Sequence, residues 1–269
     1  MKIQNLTFFI GYDSKEDIAY RVCKQSLLKH ASIDVNVVAL KLYELIAKDF
    51  YKRSIDPLAS TEFTYSRFLV PSLMHFKGWA VFCDCDFLFF KDVAKLFSDL
   101  SENKAVYCVQ HDYTPKEKHK MDGQKQTIYP RKNWSSFIVF NCSHPSNRKL
   151  DVALVNKETG SFLHQFKWLK DEEIGSLDER WNWLEGWTSN HNNKKPFAVH
   201  YTRGGPWFDE WQDVEYFSKE SCELEDYTWN IIEFSIDTLW SVWNPDNIIG
   251  NNLKKYFPET FCMSFDVDK

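Results

Sequence analysis

With 269 residues, 43% of them hydrophobic and 26% charged, the chain has the balance of a soluble globular protein and can bury a core without metal or disulfide staples. Its 33 basic against 38 acidic residues leave a formal charge of −5, which offers no electrostatic footprint for nucleic acid or an anionic membrane. No apolar run approaches the roughly 20 residues of a spanning helix, and Met1-Lys2 opens no signal-like leader, so neither an integral membrane segment nor secretion is expected.

Leu6–Tyr12 reads as a first strand, followed by Ser14 as the cap of a helix with Glu16 and Asp17 in its first turn. Val35–Leu42 predicts a second strand, Thr61–His75 a helix kinked at Pro71, and Trp79–Cys83 a third strand. Asp92–Leu100 predicts a short helix, Ala105–Val109 a fourth strand and Ser135–Asn141 a further one. Between His111 and Lys132 runs a polar, lysine-rich connection too long for a turn, which suits a functional lid or local disorder. Helical patches recur from about Glu223 onward, as in Trp229–Trp243. Strands alternating with helices predict an α/β fold, a mixed but mainly parallel sheet flanked by helices, with ligands beyond the carboxyl ends of its strands. The seven cysteines form no C-x-x-C pair and mostly sit in apolar runs, as buried thiols of a reduced, cytoplasmic protein do.

The segment that carries chemistry is Trp79-Ala-Val-Phe-Cys-Asp84-Cys-Asp86-Phe-Leu-Phe-Phe90. Side chains alternate along an extended chain, so Asp84 and Asp86 project from one face at the end of an apolar strand. Carboxylates are costly there unless they hold a cation, for which oxygen ligands suit Mg²⁺ or Mn²⁺. Such a metal can neutralise charge growing on a diphosphate leaving group. The D-x-D spacing alone is not diagnostic, since it recurs at Asp266-Val-Asp268; position at a strand end is the argument. The competing reading makes both aspartates turn or cap residues. His200 closes the apolar run Pro196–His200 and offers a third ligand, and an Asp/Asp/His set suits Mn²⁺ somewhat better than Mg²⁺. Gly204-Gly205 would let backbone approach phosphate closely.

Six blocks in order resemble the GT-A-fold, nucleotide-sugar-dependent glycosyltransferases, closest in pattern to glycosyltransferase family 8, the glycogenin and bacterial galactosyltransferase group. They are Phe8-Phe-Ile-Gly-Tyr-Asp13, Thr64-Tyr-Ser-Arg67, Asp84-Cys-Asp86, Ser135-Ser-Phe-Ile-Val-Phe-Asn141, Leu177-Asp-Glu-Arg-Trp-Asn182 and His200-Tyr-Thr-Arg-Gly-Gly-Pro-Trp207. Two departures stand out. Gly205 replaces the family's lysine before Pro-Trp, with Arg203 as the nearby cation, and the family's D-Q pair is matched only by Asp171-Glu172-Glu173.

The resemblance implies a Rossmann-like GT-A domain at 1–220 and a helical extension at 221–269 packed on it. It implies transfer of a hexose from a nucleotide diphosphate donor, UDP-linked, to a carbohydrate or glycolipid acceptor with retention. Asp84, Asp86 and His200 would hold Mn²⁺ or Mg²⁺. Gly11, Tyr12, Asp13, Arg67, Asp84, Gly204, Gly205 and Trp207 would contact the nucleotide sugar. Asp171 or Glu172 would face the reacting carbon or the acceptor hydroxyl, as general base in an inverting enzyme or as stabiliser of an oxocarbenium-like state in a retaining one; a solvated acidic turn is the plainer reading. Trp181, Trp183, Trp187 and Trp207 suit sugar stacking, and at least two of these four are expected to be packing residues. The expected enzyme is cytoplasmic, with peripheral attachment to a membrane acceptor left open. The rivals are a sugar-phosphate nucleotidyltransferase, which would want a glycine-rich loop after the first strand, and a non-catalytic carbohydrate-binding scaffold, which would need no metal.

Overall fold

The first strand, β1 (Asn5–Gly11), is buried along nearly its whole length, as a strand covered on both faces must be. A computed structural model describes residues 4–54, 59–112, 130–185, 187–188 and 195–202. Most of the 111–132 connection, Gly204, Gly205, Trp207 and the extension expected at 221–269 lie outside the described residues.

On either side of β1 lie β2 (Asp34–Leu40) and β3 (Trp79–Cys83), both parallel to it. The sheet continues through β6 (Phe137–Asn141), antiparallel to β3, then β5 (Val106–Cys108), antiparallel to β6, and β7 (Ile174–Ser176), parallel to β5. The order β2-β1-β3-β6-β5-β7 is therefore mixed, with three parallel and two antiparallel pairings. A second, three-stranded sheet joins β4 (Phe87–Phe89), β9 (Ala198–His200) and β8 (Trp183–Leu184). In the large sheet Cys83, Phe137, Cys108 and Ser176 mark one edge, the carboxyl ends of its parallel strands. Trp79, Asn141, Val106 and Ile174 mark the other.

Helix α1 (Asp17–His30) buries Ala19, Cys23 and Leu27, a four-residue spacing that sets one stripe against the core. The Ser26 hydroxyl on that stripe accepts from the Phe89 amide at 3.1 Å and so ties α1 to β4. The cap expected at Ser14 is supplied one residue earlier. Asp13 accepts from the Lys15 amide at 2.9 Å and opens a 3₁₀ turn, Ser14–Glu16, ahead of α1. Strand β2 stops at Leu40, and Leu42 begins α2 (Leu42–Ala47) instead of ending the strand.

The helix expected over Thr61–His75 is broken into a turn, a 3₁₀ segment at Ser66–Leu69 and α3 (Val70–Leu73). The hydroxyl of Thr64 donates to the Thr61 carbonyl at 2.9 Å and accepts from the Thr61 amide at 3.2 Å, a side-chain turn that competes with helix. Pro71 lies in the first turn of α3, where its missing N–H costs nothing, so it starts a helix and kinks none. Asp92 caps a 3₁₀ turn at Val93–Phe97, shorter than the helix expected there. Helices α4 (Val152–Lys157) and α5 (Gly160–His164) precede β7, capped by Asp151 and Thr159. No helix among the described residues is long and apolar enough to cross a membrane.

Candidate metal and nucleotide-sugar site

Strand β3 ends at Cys83, and the extended chain then alternates. Cys85 is fully buried, donating to a Glu16 carboxylate oxygen at 3.0 Å, while Asp84 and Asp86 stay partly open. Burial pushes the Cys83 and Cys85 thiols well up, which suits inert core thiols. One ligand atom from each of Asp84, Asp86 and His200 lies within 4.8 Å of the others.

The small sheet delivers His200. In the antiparallel pairing of β4 with β9, Phe87 stands opposite His200, and the Tyr201 amide donates to the Asp86 carbonyl at 3.0 Å. His200 is 2% exposed; the Phe87 ring stacks on it at 4.5 Å, and its Nε2 lies 3.3 Å from an Asp86 oxygen. Its Nδ1 is 2.9 Å from the Asn182 carboxamide oxygen.

Arg67 enters from the 3₁₀ segment before α3. Its Nη1 donates to the Ser135 carbonyl at 2.8 Å and lies 2.7 Å from Asp84 Oδ1, and its guanidinium lies over the rings of Phe63 and Phe82. Among the described residues Asp84 and Asp86 stand partly buried beside the Arg67 guanidinium, a place where a divalent cation would be held by carboxylate oxygens. Two oxygen donors and one imidazole suit Mn²⁺ or Mg²⁺, with the nitrogen favouring Mn²⁺.

Beside this cluster, at the ends of β1 and β2, lie the other residues read as nucleotide contacts. Phe63 packs on Gly11 so closely that a Cβ there would stand 2.5 Å from the ring, so the glycine is needed for packing. The Tyr12 hydroxyl donates to Asp17 at 2.9 Å, which with burial pushes its pKa up to about 12. The Tyr12 ring meets Tyr20 edge-on and lies under the Lys41 ammonium. Both Asp13 oxygens take backbone amides, from Lys15 and Glu62, so this buried carboxylate braces the loop.

Asp171 and Glu172 are elsewhere. They form a 3₁₀ turn immediately before β7, at the opposite edge of the sheet, with side chains 85% and 73% exposed. Asp171 pairs with Arg131, and the Glu172 carbonyl accepts from Lys104. Trp181 and Trp183 are buried; Trp181 lies parallel to Phe137 at 6.4 Å and packs edge-on against Phe197. Both are packing residues, while Trp187 is half-buried.

Four polar residues around the cluster escaped the sequence reading as site residues. Asn182 and Ser136 are buried beneath His200, and the partly buried His111 follows β5. Desolvation and the nearby His200 push His111 down to about pKa 3. His164, at the end of α5, shares a 2.7 Å hydrogen bond with the Ser135 hydroxyl, and burial with the nearby Arg67 pushes it to about 3. The signal available in the sequence was a polar residue flanked by large apolar ones, as in Trp181-Asn182-Trp183.

No family model matches the chain. It is 50% identical over 226 residues to Protein CDI of Arabidopsis thaliana, covering 81% of this chain and 86% of that protein. Among solved structures it is similar to the bifunctional glycosyltransferase WbbM, with TM-score 0.52, 18% identity and coverage of 84% of this chain; it spans about half, 51%, of WbbM. It is also similar to the galactosyltransferase LgtC, solved with donor and acceptor sugar analogs, with TM-score 0.50, 10% identity and coverage of 83% and 94% of the two chains. The shared fold is the GT-A type.

Proposed function

The chain belongs to the family of Protein CDI of Arabidopsis thaliana, and from that premise we propose that it is a metal-dependent glycosyltransferase that moves a hexose from a nucleotide diphosphate sugar to a carbohydrate or glycolipid acceptor. The observation that carries this reading is the convergence of Asp84, Asp86 and His200 at the carboxyl edge of a GT-A sheet. Placement in glycosyltransferase family 8, a UDP-linked donor and retention of configuration belong to the same proposal and rest on the six ordered sequence blocks. A cytoplasmic location is part of it too.

Asp84, Asp86 and His200 would hold the cation, Mn²⁺ in preference to Mg²⁺. Bound there, it would offset negative charge on the diphosphate as the glycosidic bond to the leaving group breaks. Arg67 holds Asp84 in place through the 2.7 Å ion pair and keeps the guanidinium near the same charge. Phe87 and Trp181 exclude water from the back of the site, which strengthens each electrostatic contact. Tyr12 and Lys41 offer an aromatic face and a cation at the ends of β1 and β2, where a nucleoside would lie. No step is assigned to Asp171 or Glu172, which lie exposed in the turn before β7.

The test is hydrolysis and transfer of UDP-hexoses with and without Mn²⁺. Asp84→Asn is expected to abolish metal-dependent turnover; full retention of it would refute the proposal. Metal-independent glycan affinity without turnover would instead favour a binding scaffold.

A further inference from the structure

We propose that Asn182 is a positioning residue that fixes the tautomer of His200, through a relay of hydrogen bonds that starts at the backbone carbonyl of Asn133. The inference rests on the reading of His200 as a ligand and adds a residue to which that reading assigns nothing.

The direction of every hydrogen bond follows from the one group that can only accept. The Asn133 carbonyl takes the Ser136 hydroxyl proton at 2.7 Å and also faces the Asn182 amide nitrogen at 3.2 Å. A carbonyl cannot donate, so the Asn182 atom beside it must be the NH₂ group. That NH₂ also donates to the Ser136 hydroxyl oxygen at 2.9 Å, whose own proton is already committed. With its nitrogen fixed, Asn182 turns its carboxamide oxygen to His200 Nδ1 at 2.9 Å. An oxygen there requires a proton on Nδ1, so Nε2, 3.3 Å from Asp86, is the nitrogen left to offer a lone pair to a cation.

The relay begins at a constrained residue. Asn133 has φ of +65°, a left-handed conformation at the head of the 3₁₀ turn Trp134–Ser136, and this directs its carbonyl toward both Ser136 and Asn182. Asn182 itself has no exposed surface, so none of these bonds competes with bulk water. Without Asn182 the neutral imidazole would be free to carry its proton on Nε2, the form that cannot bind a cation at the aspartates.

The test uses the full-length protein with ¹⁵N-labelled histidine, free of metal, near pH 8. The wild type is expected to show His200, identified by its loss in His200→Gln, protonated on Nδ1. Asn182→Leu, of the same branched shape but larger and unable to accept, is expected to move the proton to Nε2 or to mix the two forms, and to weaken Mn²⁺ binding by about 10–100-fold. Asn182→Asp keeps an acceptor at Nδ1 but loses the NH₂ that donates to Asn133 and Ser136, and is expected to hold the proton on Nδ1. Denaturant unfolding of both variants separates loss of the acceptor from loss of folding. A wild-type His200 protonated on Nε2, or a tautomer unchanged in a folded Asn182→Leu, would overturn the inference. A wild type that shows the expected tautomer yet binds no Mn²⁺ would refute the proposed function and leave the relay standing.

Discussion

The two edges of the central sheet are built from different chemistry. At the edge formed by Trp79, Asn141, Val106 and Ile174, buried amides close on one another. The Asn147 side chain donates to the carbonyls of Ala105 and Asn141 at 2.7 and 2.8 Å and accepts from the Trp168 indole at 3.2 Å. The Asn141 side chain donates to the Glu102 carbonyl at 3.0 Å. These groups satisfy one another and leave nothing over for a ligand. At the other edge Asp84, Asp86 and Arg67 bring charge to a half-buried place beside His200, with His111 and His164 held neutral near them. An edge that seals a fold uses neutral groups with internal partners; the edge proposed to bind gathers ionisable side chains.

Substitutions at the two edges should therefore fail in different assays. Asn147→Ala removes three buried hydrogen bonds and is expected to cost about 3 kcal/mol of stability in denaturant unfolding while the folded protein keeps its Mn²⁺ affinity. Asp86→Asn should do the reverse, weakening Mn²⁺ binding by about 100-fold or more, about 2.7 kcal/mol, with little loss of stability. If both variants lost metal binding and stability together, the division between the edges would be wrong.

Acid should expose the same division. The folded pKa of His164, about 3, lies below its ordinary 6.5, because burial and Arg67 oppose the charged ring. The unfolded chain therefore binds the proton more readily below about pH 6.5. The stability tied to neutral His164 is fully present above that pH and is lost progressively toward pH 3. One such group contributes a slope of at most about 1.4 kcal/mol per pH unit. His164→Phe should flatten the acid limb of stability against pH by up to that amount. An unchanged limb would mean that His164 takes up no proton on unfolding.

The smallest effect is expected at Asp171, in the acidic turn before β7. Asp171→Asn breaks only an exposed pair with Arg131, worth at most about 1 kcal/mol, and should leave transfer rates within about two-fold. A hundred-fold loss would return Asp171 to the reacting centre.

What could be read from the sequence follows from how local each feature is. The strand ending in Asp84-Cys-Asp86 shows in its alternation, because a buried Cys85 between two open aspartates is a two-residue pattern. His200 shows as the end of an apolar run, although its contact with Asp86 depends on the pairing of β4 with β9, whose partners are 109 to 113 positions apart in the chain. Asn182 shows only as a polar residue between two tryptophans, and its meeting with Ser136 and His200 comes through the fold. Asp171-Glu172 is a converse case: three acids in a row are plain in the sequence, but that they form an exposed turn at the start of β7 depends on the direction of that strand. The Thr61–His75 segment has helical spacing, and threonine hydroxyls that bond their own backbone, a local effect weaker than the pattern around it, divide it.

The most direct measurement is thermal unfolding with UDP, GDP and dTDP, each with and without Mn²⁺. At about 100 times its dissociation constant a ligand stabilises by roughly 2.7 kcal/mol, a shift that is easily seen. A shift with UDP that requires Mn²⁺, absent in Asp86→Asn, is the expected result. No shift with any nucleotide and metal together, or an equal shift without metal, would contradict a cation-dependent nucleotide-sugar site at Asp84, Asp86 and His200.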